Sequence, residues 1–188
     1  MDNIIGVLCD KVRYTLFIVK EVSMKKLILI ILIFIFSLML TGCNFIEEKK
    51  AEGIIKNYYQ AVIDGDYEKA FEQLHLYNYD SNTEDSKLAE GTTLSDEEAK
   101  AFYLKKIDVL KEQNYKLKDF EIVDVEYEDG HSFWHHIMLE VEQNGQKFEW
   151  NEVAEIYAGK LLIGEKDDPY TKYRDGKMDF EIEELNKN

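Results

Sequence analysis

Cysteine is nearly absent from this sequence, since the 188 residues contain only Cys9 and Cys43. Neither lies in the long C-terminal part, so that part has no disulfide and no thiolate metal site. A domain without such crosslinks must be stabilised by its hydrophobic core. The residues after Cys43 are numerous enough, and rich enough in Tyr, Phe and Ile, to form one domain with its own core.

Positive charge is also scarce. The chain has 23 Lys and Arg against 38 Asp and Glu, which gives a net charge of −15. A surface this acidic repels nucleic acid and anionic lipid headgroups, so we exclude nucleic acid as a partner. The simplest role for the charge is solubility on a crowded surface.

Motifs with a recognised chemistry are missing as well. The sequence has no serine nucleophile elbow, no phosphate-binding loop and no glycine-rich motif, so it predicts no cofactor and assigns no catalytic residue. His131 and His135 would lie about 13 Å apart on a strand at ~3.3 Å per residue, too far to share one metal ion. A calcium loop starting at Asp80 would place Asp85 where the motif requires glycine. We therefore predict no metal site.

The N-terminal region contains a pattern typical of export signals. Lys25 and Lys26 precede fourteen uncharged residues, 27–40, and a short segment of small residues ending in cysteine follows. Two positive charges, an apolar run and small residues before a cleavage point are the layout of a secretory signal. The final segment resembles the lipobox of bacterial lipoproteins, and its residues are Leu40, Thr41, Gly42 and Cys43.

The resemblance to bacterial lipoproteins implies that Cys43 carries a diacylglycerol and becomes the first residue of the mature protein. We interpret 1–23 as a mis-assigned upstream start or an extension, 24–42 as the signal peptide, 43–50 as a tether and 51–188 as one domain. The alternative is an uncleaved transmembrane helix over 27–46, since about 20 apolar residues span a bilayer. Both interpretations place the C-terminal domain on the extracytoplasmic side of the cell membrane.

Apolar residues at helical spacing predict three helices. The first begins near Ala51 and is ended by Gly65, and Asp66 is a suitable N-cap for the second. Ser95 and Glu98 form a capping box at the start of the third. The apolar faces consist of Ile54, Ile55, Tyr58 and Val62, then Tyr67, Ala70, Phe71 and Leu74, and finally Ala99, Phe102, Tyr103, Ile107 and Leu110.

After Asn114 the hydrophobic period changes to two, which is typical of strands. Asn144-Gly145 is a strong hairpin signal, and a slip in the alternation near Asn151 suggests a bulge. The predicted inward residues are Val123, Val125 and Tyr127 in one strand, Phe133, His135, Ile137, Leu139 and Val141 in the next, and Phe148, Trp150, Val153, Ile156 and Tyr157 in the third, with further strands over 160–165 and 178–183. Helices followed by an antiparallel meander make an α+β domain.

Residues 54–71, which read IIKNYYQAVIDGDYEKAF, resemble the opening helix pair of the nuclear transport factor 2-like superfamily. The shared features are an aromatic-rich first helix, the Gly65-Asp66 hinge and the Ala70-Phe71 pair. The resemblance implies a cone, in which three N-terminal helices pack on a curved antiparallel sheet of four to six strands around an apolar pocket. The strand over 178–183 is additional to the usual pattern.

Some members of this superfamily, the ketosteroid-isomerase-like enzymes, use a first-helix tyrosine together with an aspartate base. Matching the Gly65-Asp66 hinge places Tyr58 at that tyrosine, but Asp80 is out of register for the base and lies in a polar stretch. The resemblance therefore leaves an alternative, a small isomerase or dehydratase-like enzyme that uses Tyr58 and an acidic base.

Aromatic residues are numerous, and inward-facing aromatics of a curved sheet are ordinarily core. The other use of such residues is to line a pocket for a small apolar ligand, and the candidates are Tyr58, Tyr103, Phe133 and Trp150. We expect a lipoprotein anchored to the membrane through Cys43, whose domain binds a ligand or a surface protein without catalysis.

Overall fold

The computed structural model describes residues 24–78, 91–128 and 132–179. The chain divides into two compact units with the boundary after Ile46, and the second unit contains the whole sheet. Most of the strand predicted over 178–183 lies outside the described residues, as does the segment 1–23. Within the described ranges, no helix has an apolar stretch long enough to cross a bilayer.

The described residues form three α-helices; the second and third begin at the predicted caps, whereas the first begins at Met24 rather than near Ala51. They are α1 (Met24–Asp64), α2 (Tyr67–Gln73) and α3 (Asp96–Glu112), and the residues predicted as a tether lie within α1. Gly65 ends α1 with a φ of +75°, a conformation that costs glycine little. The Asp66 carboxylate then accepts a hydrogen bond from the Lys69 backbone amide at the start of α2. The predicted Ser95–Glu98 capping box is confirmed at the start of α3.

The four strands form one antiparallel sheet in the order β1-β2-β3-β4. Their bounds are β1 (Tyr115–Glu128), β2 (Ser132–Gln143), β3 (Gln146–Tyr157) and β4 (Lys160–Lys166). Asn144 and Gly145 turn β2 into β3 with φ angles of +50° and +79°, which are the positive values that a two-residue hairpin turn requires. The predictions of an α+β fold and of an antiparallel sheet are therefore confirmed.

Because of two bulges, the inward face of β1 differs from the predicted one. Register shifts occur between Leu117 and Asp119 and again between Ile122 and Asp124, so Lys118 and Val123 are the extra residues. Each bulge moves the inward face by one position, since side chains alternate with a period of two. Val123, predicted to face inward, is consequently 50% exposed.

The inward face of β3 also differs from the prediction. Its pairing with β2 is regular from His135–Ala154 to Gln143–Gln146, so there is no bulge at Asn151 on that side. The register shift lies in the pairing with β4, between Glu152 and Ala154. The alternation therefore places Glu152, rather than Val153, among the buried residues, and Glu152 is 1% exposed.

The core lies between helices and sheet. Ile55, Ile107, Ile137, Leu139 and Leu161, from α1, α3, β2 and β4, are completely buried, and burial of such side chains contributes roughly 1.5–3 kcal/mol each. The predicted inward face of β2 is confirmed in full, since Phe133, His135, Ile137, Leu139 and Val141 are all buried.

The chain after β4 folds back into the interior. It forms a 3₁₀-helix, η1 (Thr171–Tyr173), and then the Met178 amide donates to the Tyr77 carbonyl at 2.9 Å. A Cβ atom on Gly176 would lie 1.8 Å from the His75 carbonyl oxygen, so only glycine permits this close approach. The segment after β4 thereby carries several charged side chains into the molecule.

Candidate functional site

A cluster of charged side chains is buried where helices, sheet and the segment after β4 meet. Five of its members are at most 2% exposed, and the side chain of the sixth, Lys166, is 29% exposed. Charged residues are almost never buried unless they are paired. We call this cluster the buried ionic network, and it comprises Lys106, Glu152, Lys166, Asp168, Arg174 and Asp175.

Arg174 is the centre of the network. Its guanidinium donates to both oxygens of Glu152, with Nη1–Oε2 and Nη2–Oε1 distances of 3.1 and 2.5 Å. It also donates to Asp168 Oδ2 at 3.2 Å and to Thr171 Oγ1 at 3.1 Å. Two-point contact between a guanidinium and a carboxylate is the strongest common form of charged hydrogen bond.

Two tyrosine hydroxyls donate to carboxylate oxygens that also accept from Arg174. Tyr59 on α1 donates to Glu152 at 2.7 Å, and Tyr115 on β1 donates to Asp168 at 2.6 Å. Burial, followed by the negative charge of Glu152, raises the pKa of Tyr59 well above its ordinary value. Both hydroxyls therefore remain protonated donors, and through them the network connects α1 and β1 to β3 and the segment after β4.

Lys106 and Asp175 form the second part of the network. Lys106 Nζ donates to Asp175 Oδ1 at 2.9 Å and to the carbonyls of Asp175 and Lys177 at 2.8 Å each. Lys166 donates to the other oxygen of Asp175 at 2.5 Å. Burial alone would raise the pKa of Asp175, but the charges of Lys106 and Lys166 outweigh it and hold that pKa below the usual value.

The network neutralises itself, with three cations against three carboxylates. A general base needs a lone pair within reach of a substrate proton, whereas Glu152 and Asp168 accept from Arg174 and a tyrosine, and Asp175 accepts from two lysines. The arrangement is suited to fixing the segment after β4 against the sheet.

Tyr58, the predicted counterpart of an isomerase tyrosine, is fully buried, and its hydroxyl donates to the Arg174 carbonyl at 2.6 Å. Burial raises its pKa above the ordinary value. The neighbouring tyrosine, Tyr59, is the one that holds a carboxylate. Asp80 lies outside the described residues.

The other residues predicted to line a pocket lie in different places. Tyr103 is buried, and its hydroxyl has no hydrogen-bond partner among the described residues. Phe133 is buried with its ring edge-on to Tyr127, and Trp150 is partly buried and stacked on Phe148. Three cavities at the surface of the described part of the chain are lined by other residues, so the pocket role of these three and of Tyr58 stays a prediction.

A surface groove of about 710 Å³ lies between α1 and β1. The wall formed by α1 is polar, and the wall formed by β1 contains both polar and apolar side chains. We call it the α1–β1 groove, and its lining includes Glu52, Lys56, Gln60, Phe120, Ile122 and Val123. Hydrogen bonds from Lys49 and Lys56 lower the pKa of Glu52 to about 2, so this carboxylate is ionised at physiological pH. The groove can hold a ligand with apolar and polar parts.

His135 has the inward position predicted for it. It is fully buried, and burial lowers its pKa, which favours the neutral imidazole. Within the described ranges, no three His, Cys, Asp or Glu side chains converge on a point that could hold a metal ion. His131 lies outside these ranges.

Sequence reasoning missed the buried ionic network, although one signal pointed to it. The inward and outward side chains of β3 alternate without a break if Phe148, Trp150, position 152 and Ala154 all face inward. Position 152 is a glutamate. A charged residue at an inward position predicts a buried partner. The bulge predicted near Asn151 instead assigns this charge to the outer face.

Comparison with protein families, with curated proteins and with solved structures finds no match for this chain.

Proposed function

We propose that this protein is an extracytoplasmic lipoprotein, held on the membrane by a lipid on Cys43, whose domain is a non-catalytic module that binds a ligand or a surface protein. The absence of catalysis is supported by one observation. Each of the buried carboxylates Glu152, Asp168 and Asp175 forms an ion pair with a buried cation. Perturbed but unengaged titratable groups would instead point to catalysis.

The anchor is supported by Lys25 and Lys26, the uncharged run after them and the segment Leu40-Thr41-Gly42-Cys43. One acyl chain gives only marginal membrane binding, and stable anchoring needs a second membrane-binding group. The two chains of a diacylglycerol provide both. The cone of the nuclear transport factor 2-like superfamily is supported by helices that precede an antiparallel meander and by the two bulges of β1, because bulges bend a strand.

For the binding function, the α1–β1 groove is the best-supported location. It is open to solvent, and Val123 at its rim is half exposed, whereas Tyr58 and Tyr103, predicted to line a pocket, are completely buried. A concave site with apolar lining and a few polar groups is the usual form of a ligand site.

The alternative enzyme is the weaker proposal. It needs Tyr58 as a donor to substrate, and that hydroxyl already donates to the Arg174 carbonyl at full burial. The nearby Tyr59–Glu152 pair, at 2.7 Å, has the right residue types, but Arg174 holds the carboxylate that would have to act as the base.

The anchor is tested by lipid labelling. Cys43→Ser should abolish incorporation of a labelled fatty acid and release the protein from the membrane fraction. Cys9→Ser is the matched control and should leave both unchanged, because Cys9 precedes the proposed cleavage point. Equal labelling of wild type and Cys43→Ser would contradict the proposal.

The binding site is tested by crosslinking on whole cells. A photo-crosslinking amino acid at Val123 should give a discrete product, and the same group at Glu97, exposed on α3, should not. Products of the same size and yield from both positions would contradict a site in the α1–β1 groove.

A further inference from the structure

A contact between α1 and the sheet is made only five residues after Cys43. The Glu48 carboxylate accepts a hydrogen bond from the Tyr127 hydroxyl at 2.8 Å. Five residues span at most about 18 Å even when fully extended. Whatever conformation residues 43–47 adopt, a lipid on Cys43 would therefore keep the Tyr127 end of β1 close to the headgroups.

The direction of α1 relative to β1 identifies the opposite end of the domain. Glu48 meets Tyr127, and further along α1 the Tyr59 ring stacks on Phe120, with the ring centroids 5.2 Å apart. α1 thus runs along β1 toward its first residues. There, the Asn114 amide donates to Asn144 Oδ1 at 2.9 Å, which places the β2–β3 turn at the same end.

The two ends are well separated. β1 has 14 residues, which at ~3.3 Å per residue is about 46 Å, or about 40 Å when the two bulge residues are discounted. We call the ends the Tyr127 end and the Asn144 end. If β1 is perpendicular to the membrane, only the Tyr127 end lies within reach of a lipid on Cys43.

We propose that the anchored domain stands end-on, with its Tyr127 end facing the phospholipid headgroups and its Asn144 end directed away from the membrane. This inference rests on the proposed lipidation of Cys43. Two observations support it: the short connection to the Glu48–Tyr127 contact and the net charge of −17 of residues 43–188, which contain 18 Lys and Arg against 35 Asp and Glu.

Charge favours the end-on orientation over a domain lying on its side. An anionic bilayer repels carboxylates within a Debye length, about 8 Å at physiological ionic strength. Lying flat on the outer face of the sheet would bring the exposed carboxylates of Glu121, Glu140 and Glu149 into that layer. Standing upright restricts the unfavourable contact to the Tyr127 end, where Glu126 has a side chain 70% exposed.

The experiment uses energy transfer from single labelled thiols to the membrane. The diacylglycerol occupies the Cys43 sulfur and Cys9 precedes the cleavage point, so one introduced cysteine is unique in the lipidated protein. Glu126→Cys labels the Tyr127 end, and Lys147→Cys, near the β2–β3 turn, labels the Asn144 end. Each protein is placed in vesicles of phosphatidylglycerol and phosphatidylcholine that carry a headgroup-linked acceptor.

We expect at least twofold higher transfer efficiency from the label at position 126 than from that at position 147. A flexible Gly/Ser insertion of about 16 residues after Asn44 is the control, since it adds roughly 20 Å of average reach. It should remove most of the difference by lowering transfer from position 126.

The mass of the N-terminal peptide, measured on the same samples, separates the two proposals. Equal transfer from both positions, or higher transfer from position 147, in protein whose Cys43 is acylated would overturn the orientation alone. A peptide without the acyl mass would overturn the lipid anchor and the orientation together.

Discussion

The interior of this domain has two parts that are buried equally well and built differently. In one, Ile107 of α3 and Ile137 of β2 belong to the same apolar cluster and have no exposed surface. In the other, Arg174 and Glu152 are as deeply buried but carry full charges. The apolar part gains free energy from every methylene removed from water. The ionic part must recover a desolvation penalty of several kcal/mol per ion through its contacts.

This difference determines how each part fails. Loss of a methyl group from the apolar part leaves a cavity, and the cost grows with the volume lost. Loss of one ion from the network leaves its partner charged and buried, and the cost depends on which partner remains. The two parts can therefore be separated by variants that are matched in burial.

The largest effect is expected from Arg174→Met. This change preserves much of the volume but leaves Glu152 and Asp168 without their shared cation, and breaking a buried pair costs about 3–5 kcal/mol. Urea denaturation measures the free energy of unfolding. The double variant Arg174→Met/Glu152→Gln should cost less than the sum of the single variants by at least about 1 kcal/mol. Simple additivity would show that the two charges are not coupled.

Ile137→Ala tests the apolar part. Ile137 is completely buried on β2, and truncation of such a residue to alanine costs about 2–5 kcal/mol, while Ile137→Val costs about 0.5–1.5 kcal/mol. The cost should be additive with that of a distant change such as Ser95→Ala, again by urea denaturation. If Ile137→Val cost as much as Ile137→Ala, volume would not be the quantity that matters.

Two tyrosines at equal burial give a finer comparison. Tyr58→Phe removes the donor to the Arg174 carbonyl and should cost about 1–2 kcal/mol. Tyr103→Phe removes a buried hydroxyl that has no partner within the described ranges, so it should be neutral or stabilising. A similar loss in both variants would mean that the hydrogen bond of Tyr58 is unimportant. Loss of an activity on enolisable substrates in Tyr58→Phe alone would favour the enzyme alternative.

The smallest effect concerns pH. Because the pKa of Asp175 is held below its ordinary value of 3.8, its contribution to stability is present above about pH 4 and is lost as the pH falls through the lower, folded-state pKa. The urea midpoint should therefore be lower at about pH 3 than at about pH 7. Lys166→Met removes one of the two cations on Asp175 and should reduce this difference. An unchanged pH dependence in Lys166→Met would exclude Asp175 as its source.

The features that the sequence predicted correctly are those determined by residues close together in the chain. Gly65, Asp66 and the Ser95 capping box act within a few residues of themselves, and each has the predicted role. Asn144-Gly145 likewise fixes its turn locally. The inward face of β2 was predictable because no bulge interrupts its alternation on the β3 side.

Long-range pairing explains what the sequence did not predict. Arg174 and Glu152 are 22 residues apart, and Lys106 and Asp175 are 69 apart. Each of these residues resembles an ordinary surface charge until its partner is known. The bulges of β1 have a similar cause, because an extra residue such as Val123 becomes apparent only when the opposing strand is in place.

The bulges of β1 have one more consequence, for the behaviour of the protein at high local concentration. An edge strand with unpaired amides can template the addition of strands from other molecules. In β1, the amides of Phe120 and Val125 already donate to the carboxylates of Asp119 and Asp124, at 2.8 and 2.9 Å. An incoming strand would meet two occupied donors, two negative charges and a backbone with interrupted spacing. The β1 edge of the sheet is thereby protected against edge-to-edge aggregation.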